Sequence, residues 1–197
     1  MSGPVGAAAA GAELLEDMGA ASDAETLELV AGAATGAAQR LKFFRAALGP
    51  AASTPQSTVA LSELVQAYLS TQVSAASPGI VLSWPGAPGA LDGATARLLL
   101  NLVLLAKDAL PRGGRLRVDC ADGAPVVIAH GEPAALTEEA RHVLVEGNPP
   151  SGPRGAQAEF TRILAERAGG RLSVAVTPDG LALTLGGAAS ALSRSDG

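Results

Sequence analysis

The sequence contains few of the residues that characterise several classes of protein. Cys120 is the only cysteine among 197 residues, so no disulfide can form within the chain, and a reducing compartment is indicated. Aromatic residues make up 3% of the chain, so the core must be built from Leu, Val and Ala. The 14 basic residues are outnumbered by 19 acidic ones, giving a net charge of −5. Nucleic acid is therefore excluded as the main partner, because binding a duplex requires a clustered basic face.

Targeting and membrane signals are equally scarce. The N-terminus has no basic lead-in and no long apolar core, which argues against a signal peptide. The longest apolar run, LLLNLVLLA, is much shorter than the ~20 residues that span a bilayer. There is no Cys/His cluster for zinc, no P-loop and no Gly-x-Ser-x-Gly motif. We therefore predict a soluble cytoplasmic protein with no membrane partner.

The N-terminal quarter predicts a helical hairpin. Leu14, Leu15 and Met18 recur at helical spacing within a first helix over residues 4–18, and a second helix is predicted over residues 24–48, ended by Gly49-Pro50. The inner face of this hairpin is dominated by small side chains, so we expect two copies to pair as a four-helix bundle in a homodimer. The alternative is that the hairpin docks on the rest of its own chain.

The remainder predicts an α/β sandwich over residues 56–190, after a hairpin domain over residues 1–50. Helices alternate with short strands, of which GGRLRVDC shows the period-two pattern of a half-buried strand. The segment RLSVAV-TPDG-LALTL predicts a β-hairpin with Asp-Gly in its turn. The predicted fold class is α+β, with antiparallel strands and helices on one face of the sheet.

Three stretches, in this order, carry a resemblance to a known family: SGPVGAAAAGAELLED, QRLKFFRAALGPA and FTRILAERAGGRLSV. They resemble the histidine kinase core, a dimerisation and phosphoacceptor hairpin followed by an ATPase-like domain. The first two look most like the dimeric histidine phosphotransferases of alphaproteobacteria, the ChpT kind. The resemblance implies a protein that relays phosphoryl groups between receiver domains in a multi-step phosphorelay. It implies response-regulator receiver domains and a hybrid histidine kinase as partners.

The phosphoacceptor histidine expected from this resemblance is not found in the chain. In the family it lies five residues before the proline of the first helix, which corresponds here to Pro4. The acceptor is therefore expected upstream of Met1, or else the chain is a natural variant without it. Of the two histidines present, His130 is predicted at a strand end. His142 lies on a short charged helix near Glu138 and Glu139 and is most simply a surface residue.

The nucleotide site of the kinases is expected to be degenerate. The helix LLLNLVLLAKDAL resembles the Asn-rich helix of kinases and keeps Asn101, but Leu105 stands where a second Asn would bind the metal–phosphate unit. An apolar side chain cannot bind Mg²⁺, which requires oxygen ligands. We therefore expect no ATP and no metal on this chain, with Mg²⁺ on the partner receiver, and Asn101 hydrogen-bonded within the fold.

Helical spacing from the missing histidine, together with the antiparallel hairpin, predicts a receiver-binding flank. Its residues are Gly6, Ala7, Ala10, Leu14, Arg40 and Phe43. Lys42 is an alternative to Arg40 for contacting the acidic pocket of a receiver, and Phe44 is predicted to pack in the core. Two other functions are left open: a non-catalytic dimeric scaffold that binds receivers, and a divergent histidine kinase.

Overall fold

A computed structural model describes residues 24–71, 79–86, 88–120, 124–177 and 180–187. The first predicted helix lies outside these residues. The five described helices are α1 (Ala24–Leu48), α2 (Thr58–Ser70), α3 (Gly93–Asp108), α4 (Glu138–Leu144) and α5 (Pro153–Arg167). The described strands are β1 (Gln56–Ser57), β2 (Ile80–Ser83), β3 (Ala90–Leu91), β4 (Gly114–Asp119), β5 (Val126–His130), β6 (Gly170–Thr177) and β7 (Gly180–Gly187). The second predicted helix is confirmed as α1 with the expected bounds.

The main sheet has five strands in the order β2-β4-β5-β7-β6. All neighbouring pairs are antiparallel except β2 and β4, which run parallel. The prediction of antiparallel strands throughout was therefore wrong at this edge. The reason is the connection: α3 lies between β2 and β4 in the chain and returns it to the same end of the sheet, as parallel pairing requires. The predicted β6–β7 hairpin is confirmed.

Alternation along the central strands directs one face of the sheet towards the helices. In β4, Leu116 and Val118 are fully buried, whereas Arg115 and Arg117 are exposed, as the period-two pattern predicted. The neighbouring strands β5 and β7 contribute Val127, Ala129, Leu181 and Leu183 to the same core. This arrangement produces a layer of helices on one side of a mixed sheet.

Helix α3 is the centre of the core. Eleven of its residues are buried, because apolar side chains occupy nearly its whole circumference. It begins at an N-cap, Asp92, whose carboxylate accepts hydrogen bonds from the backbone N–H groups of Ala94 and Thr95. The C-terminal part of α1 packs against α2 and α3, so Phe43 and Ala47 belong to the same core as the sheet.

Candidate functional site

The predicted receiver-binding flank lies at the C-terminal end of α1. Lys42 and Arg45 are exposed there, and Arg40 is half-buried, so three cations lie within a stretch of six residues near the end of the helix at Leu48. Of these, Arg45 lies in the last turn, where positive charge is favourable because the last carbonyl groups of a helix carry a partial negative charge. The end of α1 is thus a local basic surface on an acidic protein. The other predicted flank residues, Gly6, Ala7, Ala10 and Leu14, lie outside the described residues.

Arg40 is held in place by the end of α2. Its Nε donates a hydrogen bond of 2.9 Å to Thr71 Oγ1, and its Nη2 donates to the Thr71 carbonyl oxygen. Thr71 is the C-cap residue of α2 and its hydroxyl also donates to the Tyr68 carbonyl. The guanidinium is therefore oriented by a neighbouring helix and keeps part of its surface accessible.

Phe43 does not form a surface. Its side chain is 0% exposed, its ring stacks on Tyr68 at 4.0 Å between centroids, and it meets Phe44 edge-on at 5.9 Å. A side chain without exposed area cannot contact a receiver directly, so the structure does not support that role for Phe43. Phe44, predicted as a core residue, is half-buried and packs against the core.

Tyr68 is the third ring of this cluster, and its surroundings shift the pKa of its phenol. Burial, with a smaller contribution from Asp108, raises the pKa of its phenol to about 12, although Arg40 acts in the opposite direction. The ring of Tyr68 packs against Phe43 and Phe44 and so serves as a packing surface beneath α1. Sequence patterning had not assigned Tyr68 a role, although its position in a row of apolar residues on α2 was visible.

Asn101 is fully buried, and both its N–H donors and its Oδ1 have partners within the fold. Its Nδ2 donates to the carbonyl oxygens of Ala47 and Arg97, each at 2.8 Å, and its Oδ1 accepts from Gln157 Nε2 at 2.7 Å. The prediction that Asn101 is hydrogen-bonded within the fold is confirmed. Leu105, one turn further along α3, is also buried. Sequence reasoning missed Gln157, which carries no motif and is recognisable only through its contact with Asn101.

His142 lies on the surface of α4, as predicted, but its carboxylate partner differs from the two considered. Its Nδ1 lies 2.9 Å from Glu146 Oε2, whereas Glu138 binds Arg141. Glu139 accepts hydrogen bonds from two backbone N–H groups at the start of α5. Glu138 and Glu139 are therefore not the partners of His142, because both accept hydrogen bonds from other donors. His130 ends β5, as expected.

A cleft of about 760 Å³ opens between the end of α4, the start of β6 and α5. Three of its charged side chains form ion pairs with one another: Arg162 pairs with Glu159 and Glu166 on the same helix, and the hydrogen bond from Arg162 lowers the pKa of Glu159. Among the described residues, no group of three His, Cys, Asp or Glu side chains could hold a metal ion. Within that same part of the chain, no helix is both long and apolar enough to cross a bilayer.

Comparison with known proteins relates this architecture to one family. A family model described as the histidine phosphotransferase C-terminal domain matches residues 66–180. The protein phosphotransferase ChpT of Brucella abortus (strain 2308) is 32% identical over 184 residues, which cover 89% of this chain and 84% of that protein. A solved structure of a bacterial phosphotransferase has a TM-score of 0.75 and 28% identity, covering 92% of this chain and 87% of that one. The chain therefore belongs to the ChpT-like histidine phosphotransferases.

Proposed function

We propose that this protein relays phosphoryl groups between receiver domains of a two-component phosphorelay. The observation that carries the proposal is the similarity to a protein phosphotransferase over most of both chains. The basic end of α1, with Arg40 and Lys42, supplies a surface complementary to the acidic phosphorylation pocket of a receiver. A hybrid histidine kinase is the proposed source of the phosphoryl group and a response regulator its destination.

The proposed reaction needs little chemistry from this protein. The acceptor imidazole, proposed to lie before Met1, attacks the phosphorus of an aspartyl phosphate, and the aspartate leaves as a carboxylate. The second transfer reverses these steps with a second receiver. Because an acyl phosphate is already reactive, alignment of the two partners and the Mg²⁺ on the receiver supply the catalysis.

The proposed active form is a homodimer in which the hairpins of two copies form a four-helix bundle. Support comes from an apolar row on α1 with seven-residue spacing: Leu27, Leu41 and Leu48 are 51%, 52% and 47% exposed. Ala34 completes the spacing. Light scattering across a concentration series tests this, and Leu41→Glu should convert dimer to monomer. A wild-type chain that stays monomeric at high concentration contradicts the proposal.

The ATPase-like domain is proposed to act without nucleotide. Support comes from Asn101, whose amide is buried and already bonded to three partners, so it has no N–H donor left for a phosphate. A divergent kinase is the competing function. ATP with Mg²⁺ should leave the melting temperature unchanged, whereas a concentration-dependent rise would favour the kinase.

Phosphotransfer from a phosphorylated receiver tests the main proposal. The assay compares the chain as given with one extended upstream by the codons that precede Met1 in the genome. Transfer by the extended chain, lost when its upstream histidine is replaced by alanine, is the expected result. Receiver binding without any transfer would favour the non-catalytic scaffold instead.

Charge reversal on the flank tests the docking surface. Lys42→Glu and Arg40→Glu should each slow transfer at low salt by about tenfold through the association rate, and high salt should remove most of the difference. Arg115→Glu, on the exposed side of β4, is the matched control. If Lys42→Glu transfers at the wild-type rate at low salt, the flank is not the docking surface.

A further inference from the structure

The last turn of α1 is capped by side chains of another helix, although Leu48 itself is partly exposed. The final four carbonyl groups of any helix lack partners within the helix. Two of those of α1 are satisfied by side chains from α3: Asn101 Nδ2 donates to the Ala47 oxygen at 2.8 Å, and Arg97 Nη2 approaches the Leu48 oxygen at 3.4 Å. These contacts join residues 54 and 49 positions apart, so the end of the helix is capped by a tertiary contact.

The same side chains reach a third helix. Asn101 accepts a hydrogen bond of 2.7 Å from Gln157 on α5, and the Arg97 guanidinium lies 5.1 Å from the centre of the Phe160 ring, also on α5. A cation over an aromatic face is attracted to it. The Arg97 Nε is buried without a hydrogen-bond partner among the described residues, so the guanidinium is held mainly by the ring and the helix end.

The connector after α1 makes a close backbone contact with the start of α3. A Cβ atom placed on Gly93, the first residue of α3, would lie 1.9 Å from the Ala52 carbonyl oxygen. The backbone that leaves α1 therefore runs directly against the start of α3. The side chains of the connector, residues 50–55, are exposed, but its backbone at Ala52 lies against α3 and the helix end is capped by α3, so the joint is held by close contacts at both places.

We propose that Asn101, together with Arg97 and Gln157, is a positioning residue: it fixes the direction of α1 relative to the sandwich and thereby aligns the docked receiver. This inference rests on the proposed function. Because the ATPase-like domain is proposed to act without nucleotide, it does not have to deliver a phosphate to the histidine. A fixed orientation of this domain relative to α1 is therefore compatible with the proposed function. Asn101 thus acts on the phosphoryl group only through the helix it holds.

The geometry makes a small change at the joint large at the far end of α1. Glu28 lies 20 residues before Leu48, which is about 30 Å along the helix axis, so a tilt of about 10° at the joint moves it by about 5 Å. Such a displacement is within the range of spin-label distance measurements.

The experiment measures the distance between spin labels at Glu28→Cys and Ser173→Cys in a Cys120→Ser background. Both labelled positions are exposed, on α1 and β6 respectively. The labelled chain is mixed with excess unlabelled chain, so that only distances within one subunit contribute. The expected wild-type result is one narrow distribution, which Asn101→Leu broadens or shifts by about 5 Å, as the lever length requires.

Two further variants separate positioning from stability. Gln157→Leu lies on the edge of the joint and should broaden the distribution even if Asn101→Leu folds poorly. Val127→Ala, in β5, removes buried volume from the sheet side of the core and should lower the melting temperature with the distribution unchanged. An unchanged narrow distribution in folded Asn101→Leu or Gln157→Leu would overturn the proposal, as would an equal broadening in Val127→Ala.

Phosphotransfer by the extended chain provides the functional arm. Asn101→Leu should lower the maximal transfer rate by at least about tenfold, because misalignment costs rate steeply, while the receiver concentration for half-saturation changes little. A rise in that concentration at an unchanged maximal rate would overturn the alignment role. If the wild-type extended chain transfers nothing, the proposed function fails, and the distance measurement still decides whether the joint is fixed.

Discussion

Replacing Phe43 by alanine tests whether Phe43 is a core residue, as the structure shows, and not part of the predicted receiver-binding flank. Phe43 is 0% exposed and contacts two other rings, Tyr68 and Phe44. Removing a fully buried Phe side chain costs about 3–5 kcal/mol, the sum of lost burial and the cavity left behind. The upper half of that range is expected here, because an aromatic pair contributes about 0.5–1.5 kcal/mol beyond its buried area. For a domain of this size, the melting temperature should fall by roughly 2–4 °C per kcal/mol.

Urea unfolding followed by tryptophan fluorescence is a suitable assay. Trp84 is the only tryptophan and follows β2 in the sandwich, partly buried against the core. If a substitution in α1 shifts the urea midpoint that is followed by Trp84 fluorescence, α1 and the sandwich therefore unfold together. Lys42→Ala, an exposed neighbour on the same helix, is the control and should change stability by less than about 0.5 kcal/mol. A loss below about 1 kcal/mol for Phe43→Ala would refute the burial argument and return Phe43 to the predicted docking surface.

Three other predictions concern the chain outside the aromatic cluster. Gly93→Ala should destabilise the protein, because the added methyl group meets backbone atoms of Ala52. Gly32→Ala has no described atom within 4 Å of the new Cβ and should stabilise α1 by up to about 1 kcal/mol. Thermal melts in which both variants shift the melting temperature in the same direction would contradict this. Hydrogen bonds from Thr95 and Ala94 lower the pKa of Asp92, so its cap stabilises the fold above the unfolded-state pKa and is lost as the pH falls through the lower folded-state value. Asp92→Ala should cost about 0.5–2 kcal/mol at pH 7 and progressively less in acid, and urea titrations showing an equal cost at both would be inconsistent with a carboxylate cap. Burial, with a smaller contribution from Asp119, raises the pKa of Cys120 to about 11. Iodoacetamide at pH 8 should therefore alkylate the folded protein far more slowly than the urea-unfolded protein. Equal alkylation rates would refute the raised pKa.

The order of most elements and the family were readable from the sequence because they depend on local chemistry, whereas the two-residue strands β1 and β3 were not predicted. Helix α1 has the predicted bounds because its apolar residues keep the helical period and Gly49-Pro50 cannot continue it. The alternation in β4 correctly predicted which side chains face the core. Asn101 was correctly expected to bond within the fold, since an amide surrounded by leucines on a buried helix requires partners. The homodimer and the domain bounds remain predictions.

The contacts between those elements became clear only from the tertiary structure. Phe43 lies outside the apolar row that the periodicity of α1 marks, yet it is the buried ring, because α2 and α3 pack against a different side of the helix end. Three glutamates lie within three or four positions of His142. Glu138 binds Arg141 and Glu139 binds backbone N–H groups of α5, which leaves Glu146 as the carboxylate beside His142. The sequence by itself determined the helices and strands, because hydrophobic period and turn residues act over a few positions. Only the folded chain determined which side of α1 is buried and what Asn101 binds, because those contacts join residues about fifty positions apart.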